Sequence, residues 1–252
     1  MLLEFAPGGY QYLKGGFPYS RGVVAAEGHA IVHARFRAPV ALAAGFEKVH
    51  AHLTATGRPL TALCGMELRS PQPFSFEGFK EFNKGYVAVL EQWGIVRDGL
   101  NPVARTNVAP EVGPPAEPSL YAFSYTIPEQ TATTDFVVSG GGEWPDGSRD
   151  PLDVIRRNDL SPDGLREKIS FVMGLMEDRL HGLGASWARS TAMQVYTVHN
   201  IHPFIATEIA ARSASPHGFI WHYSRPPIVT IEYEMDVRGV SQEVMIDTSM
   251  LT

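Results

Sequence analysis

Two stretches of the chain carry the same succession of signals, and a repeat of this kind constrains the fold more than any single motif. In the first, Leu42, Phe46, Val49 and Leu53 recur at helical spacing across residues 40–56, and Gly57 is placed to end the helix. A strand is expected over 60–68. A second helix is expected over 76–93, with Phe79, Phe82, Tyr86, Leu90 and Trp93 on one face and Gly94 behind it. Extended segments follow at 105–108 and 120–127. The second stretch begins with a short strand at 136–139 that enters a turn at Gly140-Gly141-Gly142. Ser161-Pro162 is a helix start, serine as N-cap and proline at the first position. Leu165, Ile169, Val172, Met173, Met176 and Leu180 then share a helical face, closed by Gly182 or Gly184. A strand over 193–199, a shorter helix over 203–212 and an alternating strand over 227–237 complete it. Each stretch therefore reads strand, helix, strand, helix, strand, strand. Helices packed on one face of a mixed sheet make a stable two-layer unit, so the expected class is α+β with two such domains, 1–125 and 126–252.

Composition narrows the partners. With 44% hydrophobic and 19% charged residues the chain is globular, and its formal net charge of −6 argues against nucleic-acid binding. No apolar run reaches about 18 residues, so no membrane span is expected, and no leader-like N-terminus is read. The single cysteine, Cys64, precludes an internal disulfide, lies in an apolar stretch and reads as a buried thiol. A cytoplasmic protein is expected. Nine histidines invite a metal site, but His50 and His52 point to different faces of a helix, and no His-Glu-x-x-His or Cys-x-x-Cys pattern exists. Neither metal nor cofactor is expected. The triple glycine lacks a following Gly-Lys-Ser/Thr and is no phosphate loop.

Five segments in order resemble the Rid (YjgF-type) imine-deaminase family. Gly16-Phe17-Pro18-Tyr19-Ser20 is similar to the entry of that family's first strand. Phe82-Asn83-Lys84-Gly85-Tyr86 resembles its Asn-x-x-Tyr helix segment, and Asn101-Pro102-Val103-Ala104-Arg105-Thr106 its Pro-Ala-Arg-Ser/Thr signature. In the second stretch, Phe136-Val137-Val138-Ser139-Gly140 resembles its strand ending in Ser-Gly, and Arg225-Pro226-Pro227 through Ile231-Glu232 its late strand pair. The resemblance implies two chorismate-mutase-like Rid domains. Their signatures are divided: Arg105 has no glutamate in 120–127 to match it, and Glu232 has no arginine, the aligned position falling near Gly218.

By that resemblance, Arg105 would bind the carboxylate of an imino or enamino acid, because a guanidinium matches a carboxylate in two parallel hydrogen bonds. Glu232 would handle water or a proton. Tyr19, Asn83, Tyr125, Ser139 and Gly140 would contact substrate. Read from the residues alone, Arg105 also suits a surface ion pair, Glu232 a solvated acidic face shared with Glu234 and Asp236, and the tyrosines simple packing. The expected activity is hydrolytic deamination of a reactive 2-aminoacrylate- or 2-aminomuconate-like acid, as in aromatic degradation. The alternatives are a chorismatase-like hydrolase, since chorismatases also resemble two fused Rid domains, and a non-catalytic carboxylate-binding protein. Rid domains close into three-fold rings, so two domains per chain imply a homotrimer of six domains.

Overall fold

The computed structural model describes residues 1–130, 133–148 and 150–247. The chain opens with a meander, β1 (Leu2–Phe5), β2 (Tyr10–Leu13) and β3 (Gly22–Ala25). A first unit follows: β4 (His29–Ala41), α1 (Leu42–Ala55), β5 (Leu63–Arg69), α2 (Phe76–Gln92), β6 (Ala104–Pro110) and β7 (Ser119–Pro128). The second unit contains β8 (Phe136–Gly142), α3 (Pro162–Gly182), β9 (Ala192–Tyr196), an irregular helical stretch over 202–212, β10 (Ile220–His222) and β12 (Glu234–Gly239). Two short strands, β11 (Ser224–Arg225) and β13 (Gln242–Ile246), complete the set.

The two units share one topology. In the first the strand order is β6-β5-β7-β4, and in the second β10-β9-β12-β8. In both, the first strand runs antiparallel to the last, the last antiparallel to the second, and the second parallel to the third. The expected α+β architecture of helix-backed mixed sheets is therefore present twice. The units also exchange strands. The meander extends the second sheet through β3 against β8, while β11 and β13 return to the edges of the first sheet, beside β6 and β4.

Each sheet buries an apolar face under its helices. Phe46, Val49 and Leu53 of α1 join Tyr86, Val87 and Leu90 of α2 in one core, and Ile169, Val172, Met173, Met176 and Leu180 of α3 fill the other. Full burial of each such side chain stabilises the fold by about 1.5–3 kcal/mol. The helix signals act as expected: the Ser75 and Ser161 hydroxyls each accept an amide three residues on, and Gly57, Gly94 and Gly184 take positive φ behind their helices. The opposite faces of the two sheets meet through polar side chains. Thr106 of β6 donates to Asp236 of β12 at 2.7 Å, and Gln194 of β9 donates to Glu67 of β5 at 3.3 Å. Among the described residues no helix is long and apolar enough to cross a membrane.

Three elements differ from the sequence reading. Gly140-Gly141-Gly142 is not a turn but the end of β8. Glycine is needed there because neighbours crowd the strand: a Cβ on Gly140 would lie 2.3 Å from Glu234 Oε1, and one on Gly142 2.4 Å from Ile231 Cγ2. The helix expected over 203–212 breaks into an α turn (His202–Phe204), a π turn (Ile205–Ile209) and a 3₁₀ turn (Ala210–Arg212). Its buried anchors, Phe204 and Ile209, are five residues apart, the spacing of a π turn rather than an α-helix. The strand expected over 227–237 begins only at Glu234. Before it, Thr230 adopts φ 87° in a turn, and the Glu143 carboxylate accepts the Glu232 and Tyr233 amides at 2.7 and 3.1 Å in place of a strand neighbour.

A Cβ on Gly141 would lie within 2.9 Å of Arg179, Leu175 and Met176. Gly141→Ala is expected to lower stability by about 1–3 kcal/mol through overpacking, measured as a lower denaturant midpoint with unchanged slope.

Candidate active site

Arg105 is the second residue of β6, paired in parallel register with Met66 of β5. Beyond β6 the first sheet meets β8 of the second, and the joint is built on Ser139. Its hydroxyl accepts the Arg105 amide at 3.1 Å and donates to the Ser20 carbonyl at 2.6 Å. Its own amide donates to the Arg21 carbonyl at 3.1 Å, and its carbonyl accepts Arg179 Nη1 at 2.8 Å. One serine thus fixes the positions of three arginine-bearing segments.

The Arg105 side chain turns toward α2. Its guanidinium lies 4.5 Å from the Tyr19 ring and 4.7 Å from that of Tyr86, with Phe79 and Phe82 at 5.4 and 5.9 Å. Arg105 is only 2% exposed, yet Nε, Nη1 and Nη2 make no well-formed hydrogen bond to a described residue, the Tyr19 phenol being only in loose reach. Burial lowers its pKa, but a guanidinium stays charged. Aromatic faces offset part of the cost of burying this cation, and its N–H donors remain open to an anion. Asn83 lies on the same helical face as Phe79 and Tyr86, is buried, and leaves its Oδ1 without a partner.

The carboxyl group that acts electrostatically on Arg105 is Glu234, not Glu232. Glu234 is buried on β12, and its Oε1 reaches to where a side chain on Gly140 would stand. Burial, together with the neighbouring Asp236 charge, pushes its pKa well above the ordinary value, against the pull of Arg179 and Arg105. Burial therefore favours the proton-bearing form of Glu234. Beneath it lies a dense polar joint. Asp236 accepts from Thr106, Gln194 and Tyr196 at 2.7, 2.9 and 2.9 Å, and burial beside Glu67 raises it to about 6. For Glu67, burial works upward, but His33, Arg238 and Arg69 hold it down at about 2. The gap between the sheets here is about 10 Å³, room for one water at most.

The other expected residues divide. Tyr19, Ser139 and Gly140 gather with Arg105, and Asn83 shares its helix face. Tyr125 lies in the first core, its hydroxyl 3.0 Å from His52 Nε2. Glu232 pairs with His199 at 2.8 Å. In the second unit Trp221 of β10 faces Val195 of β9, as Arg105 of β6 faces Met66 of β5. Cys64 is buried in the first core, which pushes its thiol pKa up. Among the described residues no three His, Cys, Asp or Glu side chains group as a metal site. Glu234, Asp236 and Arg179 were not singled out in the sequence. The period-two run that carries Glu232 also carries the first two, and burial alone separates them.

Two helix-backed mixed sheets joined face to face define the class, and one solved structure bears on that fold. A chorismatase crystal structure superposes with a TM-score of 0.52 at 12% identity, covering 87% of this chain and 77% of that one. A candidate endoribonuclease from Thermotoga maritima matches 43% of this chain and 80% of its own, at 17% identity and a TM-score of 0.29. The sequence profile of the 2-aminomuconate deaminase family CnbZ matches residues 2–244. A 2-amino-5-chloromuconate deaminase from Comamonas testosteroni is 47% identical over 245 residues, 96% of this chain and 98% of that one. The chain belongs to the CnbZ deaminase family and is an enzyme acting on C–N bonds.

Glu234 binds its proton more tightly folded than unfolded, so its contribution to stability falls as pH rises above the ordinary value of 4.5. Glu234→Gln is expected to flatten the loss of stability as pH rises above that value, read from denaturant midpoints. An unchanged slope contradicts a raised pKa for Glu234.

Proposed function

We propose that this chain is a hydrolytic deaminase of a 2-aminomuconate-like enamine acid, with Arg105 anchoring the substrate carboxylate and Glu234 moving the proton. The observation that carries this reading is the buried Arg105 guanidinium, which makes no well-formed hydrogen bond, beside a carboxyl whose burial favours its protonated form. Family membership and the 47% identical chloromuconate deaminase support the substrate class. A buried cation needs a counter-charge, and a substrate carboxylate supplies it through a charge-assisted bidentate pair.

The chemistry follows from the proton on Glu234. It passes to the enamine carbon and leaves an iminium. Water adds to the iminium carbon and returns a proton to the Glu234 carboxylate. Collapse of the carbinolamine breaks the C–N bond, releasing ammonia and a 2-oxo acid, and Glu234 ends in its starting state. The Tyr19 phenol, its pKa raised by burial, stays protonated and serves as a donor. Asn83 Oδ1 is an acceptor suited to the substrate's N–H.

Arg105→Gln is expected to lower kcat/KM for 2-aminomuconate about 100-fold, the loss of a charged bidentate contact. Glu234→Gln is expected to lower kcat about 10²- to 10⁴-fold with little change in KM, measured as ammonia release. Glu232→Gln serves as the comparison. If it abolishes turnover while Glu234→Gln does not, the proton role passes to the carboxylate paired with His199.

We also propose a homotrimer, on the count of two Rid-like domains per chain. Because the Arg105 pocket draws its residues from both units of one chain, activity is expected to persist on dilution. Light scattering is expected to give three chains, and a sharply monomeric mass contradicts it.

A further inference from the structure

Arg105 accounts for one carboxylate, and the substrate class proposed above carries two. We propose that Arg21 and Arg179 form a second anion subsite that receives the distal carboxylate of a dicarboxylate substrate, in the place now taken by Asp146. The inference rests on the reading of Arg105 as the first carboxylate anchor.

Three observations support it. First, Asp146 already makes a carboxylate-to-guanidinium arrangement there. Its Oδ1 accepts from Arg179 Nη2 at 2.8 Å and its Oδ2 from Arg179 Nε at 3.4 Å, while Arg21 Nε lies 3.0 Å from Oδ2. The two arginines therefore converge on a single carboxylate. Second, the pair is fastened to the residue that fastens Arg105. Arg179 Nη1 is hydrogen-bonded to the Ser139 carbonyl, the Arg21 carbonyl accepts the Ser139 amide, and the Ser139 hydroxyl accepts the Arg105 amide. Tyr19, two residues before Arg21, stands over the Arg105 guanidinium, and Arg105, Glu234, Arg179 and Asp146 all act on its phenol. Third, the arrangement is graded in burial. The Arg179 side chain is 7% exposed, but Arg21 and Asp146 are 39% and 27% exposed. Asp146 also lies outside helix and strand, next to Gly147 at φ 90°.

The physical consequence is a competition. Asp146 neutralises the two guanidinium groups when no substrate is bound, and an incoming carboxylate takes over the more open of them, Arg21. Arg179 keeps its backbone contacts to Ser139 and Gly140 throughout. A diene acid with a carboxylate at each end spans the two subsites, whereas a monocarboxylate fills only the one at Arg105. The subsite therefore sets selectivity for two charges over one.

Calorimetric binding of trans,trans-muconate and of sorbate, its monocarboxylate counterpart, separates the two anchors. The native chain is expected to bind muconate at least about tenfold more tightly than sorbate, with Arg21→Ala reducing that preference to within about threefold. Arg21 is surface-exposed, and its folding is checked by the thermal midpoint of the variant. Equal affinities in the native chain, or a preference that survives in Arg21→Ala, overturn the distal subsite. Binding of both acids that persists in Arg105→Gln overturns the first anchor instead, so the two failures are distinguishable.

Discussion

Ser139 makes four hydrogen bonds, and the chemistry of the molecule is organised around them. Through its hydroxyl, amide and carbonyl it holds the Arg105 backbone, the strand carrying Ser20 and Arg21, and the Arg179 side chain. Each of those segments belongs to a different layer: β6 of the first sheet, the meander that precedes it, and α3 behind the second sheet. A serine side chain is short, so the three approach closely, and the neighbouring glycines let them. Where β8 would otherwise present side chains, Gly140 leaves room for Glu234 and Gly141 for Arg179. The joint thus brings a buried guanidinium and a buried carboxyl group under each other's influence, largely withdrawn from water. There both are electrostatically stronger than they would be at the surface.

The strand exchange between the two units has a functional consequence. Arg105 comes from the first repeat, Glu234 and Arg179 from the second, and Tyr19 from the meander that precedes the first but extends the second sheet. In the second unit Trp221, not an arginine, faces Val195 of β9, and the helical stretch over 202–212 lacks the regular aromatic face that α2 presents. Instead, a His199–Glu232 pair stands near that end of the sheet. The proposed anion anchor thus comes from one repeat and the proposed acid from the other.

Much of the fold was legible in the chain. The helix faces at Phe46, Val49, Leu53 and at Ile169, Met173, Met176, the serine caps, and the closing glycines are local signals read over a few residues. The elements that escaped depend on distant partners. Of strands β1 to β3, only β3 joins the rest of its sheet, by pairing with β8 more than 100 residues away in sequence, a contact invisible to local pattern. The glycine triplet reads as a turn until Glu234 and Ile231 are seen pressed against it. Motif singled out Arg105, Tyr19, Ser139 and Gly140, which the structure gathers in one place, and Glu232, whereas the carboxyl group that acts on Arg105 is Glu234. Glu232 and Glu234 share one alternation, and only the turn at Thr230, together with the Glu143 contacts to the following amides, decides which of them lies inside.

The central claim is that the unpaired guanidinium of Arg105 is the resting place of a substrate carboxylate, with the Glu234 acid within reach of the reacting carbon. A crystal structure of the protein with cis,cis-muconate bound tests this most directly. The expected result is one carboxylate of the ligand in a bidentate pair with Arg105, its diene lying against Tyr19 and Tyr86, and the Glu234 carboxyl facing the carbon beside that carboxylate. A muconate seated elsewhere, with Arg105 still unpaired behind its aromatic rings, contradicts it.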